Sequence, residues 1–176
     1  SGTVARYDGF LIPFDNTTDS VIVKYEYDAN KYMIKRSLSI PAAPTIPILE
    51  SNYIWTNGNL TRIINTISIT NERWETEIQY DHSKTAKSFV NLQFLAYELL
   101  QFQTAINTGK RPVNLPIIAT TKYYENNVLK QTDVSNFINY VMDANNYVTS
   151  FEIAGDDFDS YLYWGSEKYV LGYKCF

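Results

Sequence analysis

The sequence predicts a mainly β protein: an antiparallel meander that forms a curved sheet or barrel, with one amphipathic helix over about 88–107 packed against it. Three observations carry this reading. Apolar and polar residues alternate with period two in several separate stretches, Asn and Asp corners punctuate them, and a single segment switches to helical spacing.

The corners are the most informative feature. Asp28-Ala29-Asn30-Lys31-Tyr32-Met33 and Asp143-Ala144-Asn145-Asn146-Tyr147-Val148 are nearly one phrase written twice. Asp and Asn tolerate left-handed backbone angles and bond their own main chain, and the Tyr, Ile and Val that follow favour extended structure. Each phrase reads as a tight turn feeding a strand. Ahead of the first, Val21, Val23, Tyr25 and Tyr27 alternate with Ile22, Lys24 and Glu26, the period of a half-buried strand. Asn57-Gly58 sits between apolar runs as the strongest short hairpin signal. Further turns are expected at Asn126-Asn127 and near Gly165-Ser166. Trp74, Thr76, Ile78 and Tyr80 alternate with Glu75, Glu77 and Gln79 in a strand expected to end at Asp81. Pro41, Pro44 and Pro47 withhold ladder donors, so 40–48 is expected as an extended edge or crossover.

Successive hairpins joined by short turns most economically build a meander, and a long meander curls or closes. Phe89, Leu92, Leu95, Ala96, Leu99, Phe102 and Ile106 recur at helical spacing, with Gly109 and Pro112 beyond as stop signals. That apolar stripe needs cover, and the concave side of the sheet is the available surface.

A chain of 176 residues that is 45% hydrophobic supports one sizeable core, so residues 1–176 are read as a single domain. Net charge is -4 with both signs interleaved, which leaves no basic patch for nucleic acid. No stretch approaches an uninterrupted apolar membrane helix; Phe89–Ile106 contains Asn91, Gln93, Glu98, Gln101 and Gln103. A membrane-spanning barrel is not expected either, because Lys24, Arg36, Arg62 and Lys174 interrupt the candidate apolar faces. With His82 and Cys175 the only residues of their kinds, zinc has no ligand set, and no cofactor motif is present. The chain begins Ser1-Gly2 with no Met and no targeting run, the pattern of a trimmed or mature form.

The stretches YDANKYM, YIWTNGNLTRI, YDHSKTAKSFVNLQFL, GKRPVNLP and MDANNYVTSFEIAGDDFDSYLY, in this order over roughly residues 20–173, resemble a family of secreted, lipid-anchored proteins. These come from gut-dwelling Gram-negative bacteria and are classed as a domain of unknown function with a porin-like fold. The most specific part is the helix followed by Lys110 to Pro116. The chain departs from the family at Lys31 and Asn146, where such turns usually carry Gly, which leaves the turn types there open. The resemblance implies an envelope location, secreted or held at the outer membrane or periplasm by a lipid anchor outside this sequence. It brings no catalytic residues.

Direct chemical signals are few. Asp156, Asp157 and Asp159 cluster as hard-cation ligands do, but lack the spacing of a calcium loop and read as a solvated turn. Asp81, His82 and Ser83 are adjacent in one expected turn and cannot converge as a triad. Cys175 beside Lys174 has no resolving partner. No catalytic residue and no metal ligand is assigned. The acids Glu75, Glu77 and Glu152 fall on the outward strand phase, where charge belongs. The 15 Tyr, 9 Phe and 3 Trp exceed what one core of this size requires, so some should reach a surface suited to a glycan or an apolar small molecule. Tyr53 and Trp55 share one strand face and Tyr161 and Tyr163 another, and these four are the candidate ligand-binding residues. The reading is a non-catalytic, envelope-associated binding or structural protein. The alternative is a carbohydrate-active or other hydrolytic enzyme working through paired carboxylates.

Overall fold

A computed structural model describes residues 4–5, 10–11, 20–85, 110–155 and 167–171. The described strands are β1 (Val4–Ala5), β2 (Phe10–Leu11), β3 (Ser20–Tyr27), β4 (Met33–Ser39), β5 (Leu49–Thr56), β6 (Asn59–Ile67), β7 (Glu72–Thr85), β8 (Asn114–Glu125), β9 (Val128–Met142), β10 (Val148–Gly155) and β11 (Glu167–Val170). From β3 to β11 each strand pairs antiparallel with the next, in chain order. β1 and β2 both lie along β3. The expected meander is therefore present, and among the described residues it does not close on itself. The expected helix over 88–107 and the turn at Gly165-Ser166 lie outside the described residues.

The repeated phrase builds the same corner twice. In the first, one carboxylate oxygen of Asp28 accepts the backbone N–H groups of Asn30 and Tyr32 at 2.9 and 2.8 Å. In the second, Asp143 accepts those of Asn145 and Tyr147 at 2.8 and 2.9 Å. Lys31 and Asn146 both take left-handed φ, 69° and 65°, at the position where glycine is usual. Asn57-Gly58 and Asn126-Asn127 are two-residue corners with both residues at positive φ, as a primed hairpin turn demands.

Two expectations are corrected. Residues 40–48 are neither an extended edge nor a crossover but a pair of turns. Ala43 donates to the Ile40 carbonyl and Ile46 to the Ala43 carbonyl, and Ile48 then rejoins Leu38 at 2.8 Å. Proline rules out the ladder but suits consecutive turns, which is how the segment resolves. Strand β7 also does not stop at Asp81; it runs to Thr85 through an irregularity against β8, so His82 is an exposed strand residue and not a turn residue.

The two faces of the sheet differ sharply. One cross-strand row runs Tyr25, Arg36, Ser51, Asn65, Trp74, Tyr123 and belongs to the buried face. Around it the core gathers Met33, Tyr53, Leu60, Ile63, Ile78, Phe137, Phe151 and Ile153. The adjacent row on the other face runs Glu26, Lys35, Asn52, Ile64, Glu75, Lys122. Its charges pair locally: Lys35 with Glu50 at 2.7 Å, and Arg62 and Arg73 with Glu75 at 2.6 and 3.1 Å. Glu75, Glu77 and Glu152 lie on this side, as the strand phase requires.

Candidate functional site

Tyr53 and Trp55 follow each other along the inner side of β5, as the alternation implies, but they do different work. Tyr53 is only 4% exposed and belongs to the core, where its hydroxyl has no hydrogen-bond partner among the described residues. Trp55 is half-buried, and its indole N–H donates to the Met33 carbonyl at 2.8 Å. Its ring lies against Tyr32, with centroids 4.6 Å apart, and the Lys110 ammonium sits 5.0 Å from the centre of the Tyr32 ring. This corner is laced further. Lys110 N–H donates to the Lys31 carbonyl, Asn59 accepts the N–H groups of Val113 and Asn114, and Asn59 donates to the Asn114 side chain at 2.9 Å. The aromatic faces here are engaged within the protein. Tyr161 and Tyr163 lie outside the described residues, as do Asp156, Asp157 and Cys175.

The structure opens a different site, between β8 and β9. The β8–β9 ladder runs from Glu125 opposite Val128 to Ile118 opposite Asn136 and goes no further. Beyond that point two bulges turn the strands apart. In β8, Ile117 is the extra residue between Gln79 opposite Ile118 and Tyr80 opposite Pro116. In β9, Asn139 and Tyr140 together face the single Phe151, and Asn139 takes φ 53°. The strands remain bridged at one point by the Tyr140 hydroxyl, which donates to the Pro116 carbonyl at 2.7 Å.

The resulting cleft has a volume of about 300 Å³, at the lower end of the range for small-molecule sites. Leu115, Ile117, Phe137, Ile138 and Tyr140 supply an apolar lining, and Asp81, Lys84 and Asn139 supply its polar groups. Lys84 pairs with Asp81 at 3.3 Å, and the Ser83 hydroxyl donates to Asp81 at 2.5 Å. The Ser83 hydroxyl first, then the Ser83 backbone N–H and Lys84, hold the Asp81 carboxyl below its ordinary pKa. Asn139 is fixed from outside the cleft by donating to Glu152 at 2.6 Å. Burial, reinforced by the neighbouring Tyr80, pushes the Tyr140 hydroxyl well above the usual tyrosine range, so it stays a neutral donor. Such a cleft can hold an apolar body with one polar end. Among the described residues no group of three His, Cys, Asp or Glu side chains converges as a metal site.

Sequence reasoning missed this site because its cause is where the β8–β9 ladder ends, which is set by bulges against the flanking strands β7 and β10 and not by any local residue pattern. The left-handed Asn139 carries no local signal that separates it from the other asparagines. The Asp81-His82-Ser83 stretch did mark one wall, though for another reason.

No protein-family model matches the chain, and no curated protein matches it. Among solved structures it is similar to a porin-like protein from Bacteroides vulgatus ATCC 8482, with a TM-score of 0.54 and 15% sequence identity. The match covers 95% of this chain and 70% of that one. At this identity the likeness establishes a shared porin-like fold of one antiparallel meander.

Proposed function

We propose that this chain is a non-catalytic binding module of the cell envelope, and that its ligand is a small amphipathic molecule held in the β8–β9 cleft. The observation that carries the reading is the cleft itself: an apolar lining closed by the Asp81–Lys84 ion pair and Asn139. A glycan would need more polar wall than these residues offer.

Three further features support it. The porin-like likeness favours an envelope setting. The outward face carries Lys35, Glu50, Arg62, Arg73 and Glu75; the Lys and Arg side chains cost about 2–4 kcal/mol each at the middle of a lipid face and the Glu side chains less, which favours a sheet in water over a membrane-spanning wall. A paired-carboxylate hydrolase needs one carboxyl raised in pKa, whereas Asp81 in the cleft is shifted down. Glu50 is shifted the same way: burial pushes it up, and hydrogen bonds from Lys35 and Asn52 outweigh that. Neither carboxyl has the raised pKa of a general acid.

The test is titration of the purified full chain with medium-chain fatty acids and, in parallel, with short oligosaccharides. Saturable fatty-acid binding that disappears in Ile138→Trp, a substitution at a partly exposed cleft residue, is the expected result. Binding of the sugars alone, of neither, or of fatty acid with equal strength to the variant would refute the reading. Fractionation of cells expressing the natural full-length protein tests the location, and recovery in the cytoplasm would refute that part.

A further inference from the structure

Among the described residues, the loops at the two ends of the sheet are unlike. At one end stand the acidic corners at Asp28 and Asp143, with Lys31 between the strands they join. At the other end the β4–β5 loop, the β6–β7 loop and the β8–β9 corner carry no charged residue at all in 40–48, 68–71 or 126–129. They present aliphatic side chains instead: Ile46 is 64% exposed, Ile69 76%, Val128 58% and Leu129 50%.

These tips form one rim. All three loops spring from a single cross-strand row, Leu38, Leu49, Ile67, Glu72, Glu125, Val128, so they stand level. Backbone hydrogen bonds tie neighbours together: Ser68 N–H donates to the Ile48 carbonyl and Asn126 N–H to the Asn71 carbonyl, both at 3.1 Å. Strand β10 ends opposite Ser135, well short of the β8–β9 tip, so that tip projects beyond its neighbour.

The charges just behind the rim are matched internally. Thr70 and Tyr123 donate to Glu72, Lys130 pairs with Glu125, and Arg73 pairs with Glu75 while lying 4.4 Å from the centre of the Tyr124 ring. Among the described residues the rim is aliphatic and uncharged, and the carboxylates behind it are hydrogen-bonded or ion-paired. An anionic surface meets no run of unmatched cations among them.

We propose that this rim dips into the interfacial layer of an electrically neutral lipid bilayer, with Ile46, Ile69, Val128 and Leu129 as the inserting side chains. It is a peripheral contact made by loop tips, independent of the β8–β9 cleft. Such binding scales with the apolar surface inserted and is nearly indifferent to salt.

Co-sedimentation of the full chain with phosphatidylcholine vesicles tests it. The chain should pellet with the vesicles at about 0.1 M and about 1 M salt alike. The triple variant Ile46→Asp, Ile69→Asp, Val128→Ser should lose partitioning by about ten-fold or more. Its thermal unfolding should stay at the unaltered midpoint, because all three side chains face solvent. The milder Ile69→Ser should give a smaller loss, and it serves as the test if the triple variant does not fold. Asn145→Asp, on the opposite rim, should bind as the unaltered chain does. Failure of the unaltered chain to pellet would overturn the proposal. So would binding that needs phosphatidylglycerol and is released by salt, or undiminished binding by the triple variant. A dimer of the unaltered chain that the triple variant abolishes would assign the rim to a second copy instead, and would also overturn it.

Discussion

Removing the carboxylate from one of the two matching corners should cost a similar amount wherever it is done. In Asp28→Ala, the N–H groups of Asn30 and Tyr32 lose an acceptor held at 2.9 and 2.8 Å. In Asp143→Ala, those of Asn145 and Tyr147 lose one at 2.8 and 2.9 Å. Both corners are largely solvent-exposed, so water replaces part of what is lost. The helix N-cap is the nearest analogue, a side-chain oxygen serving otherwise unpaired N–H groups, and it is worth about 1 kcal/mol. With two N–H groups served by one charged oxygen, we expect about 1.5 kcal/mol for each corner. For a chain of this size that lowers the midpoint of thermal unfolding by about 3–6 °C. Asp→Asn retains a carbonyl oxygen and should cost about a third as much. β3–β4 and β9–β10 share no strand, so the double Ala variant should lose about 3 kcal/mol, the two costs adding to within about 0.5 kcal/mol. Urea denaturation followed by circular dichroism reads this out, with an unchanged slope against urea confirming that the native state is at fault. A loss below about 0.3 kcal/mol in either single variant would refute the idea that the repeated phrase exists to build this corner.

Glycine substitution at the left-handed corner positions should separate lysine from asparagine: Lys31→Gly, at φ 69°, should gain about 0.5 kcal/mol, while Asn146→Gly, at φ 65°, should be near neutral because Asn tolerates that region. Equal effects in urea unfolding would contradict this. Gly155→Ala should destabilise by about 1–3 kcal/mol, because its Cβ would lie 2.7 Å from the Val134 carbonyl oxygen, a backbone atom that cannot swing away. An unaltered thermal midpoint would show that β9 and β10 are further apart than described. Alkaline titration should unfold the protein cooperatively. Burial pushes the Tyr25 hydroxyl up to about 12 despite the opposing charge of Arg36, and burial raises Tyr80 and Tyr140 further. Their folded pKa values exceed the unfolded one near 10, so the stability they confer is complete below that pH and is lost as pH rises through the window to about 12. Tyrosinate absorbance should therefore rise together with loss of β signal; a rise that precedes unfolding would contradict their burial.

The local features of the fold were legible in the chain, and the non-local ones were not. Asp28 and Asp143 announce their corners because the interaction that makes each corner spans only a few residues. Asn57-Gly58 is legible for the same reason. The β6–β7 loop carries a weaker signal, because Ser68-Ile69-Thr70-Asn71 sets its one left-handed residue, Asn71, after strand-like Ile69 and Thr70. Period two reveals that faces alternate but not what each face meets. Arg36 reads as an outward charge, yet it lies in the buried row and approaches Ser51 at 3.5 Å. Tyr53 and Trp55 share one face as the alternation implies, while the cleft comes from Ile117 and Asn139, whose bulges are set by the registers against β7 and β10. The Asn59–Asn114 clamp, joining residues 55 positions apart, is invisible to any local pattern.

Cross-strand proton–proton contacts along the buried row provide the most direct check on this architecture. In nuclear Overhauser spectra the register predicts contacts linking Tyr25 to Arg36, Ser51 to Asn65 and Trp74 to Tyr123, in one continuous series across the sheet. A series displaced by one residue at any of these strands would turn the charged face inward, and contacts between parallel strands would contradict the meander outright.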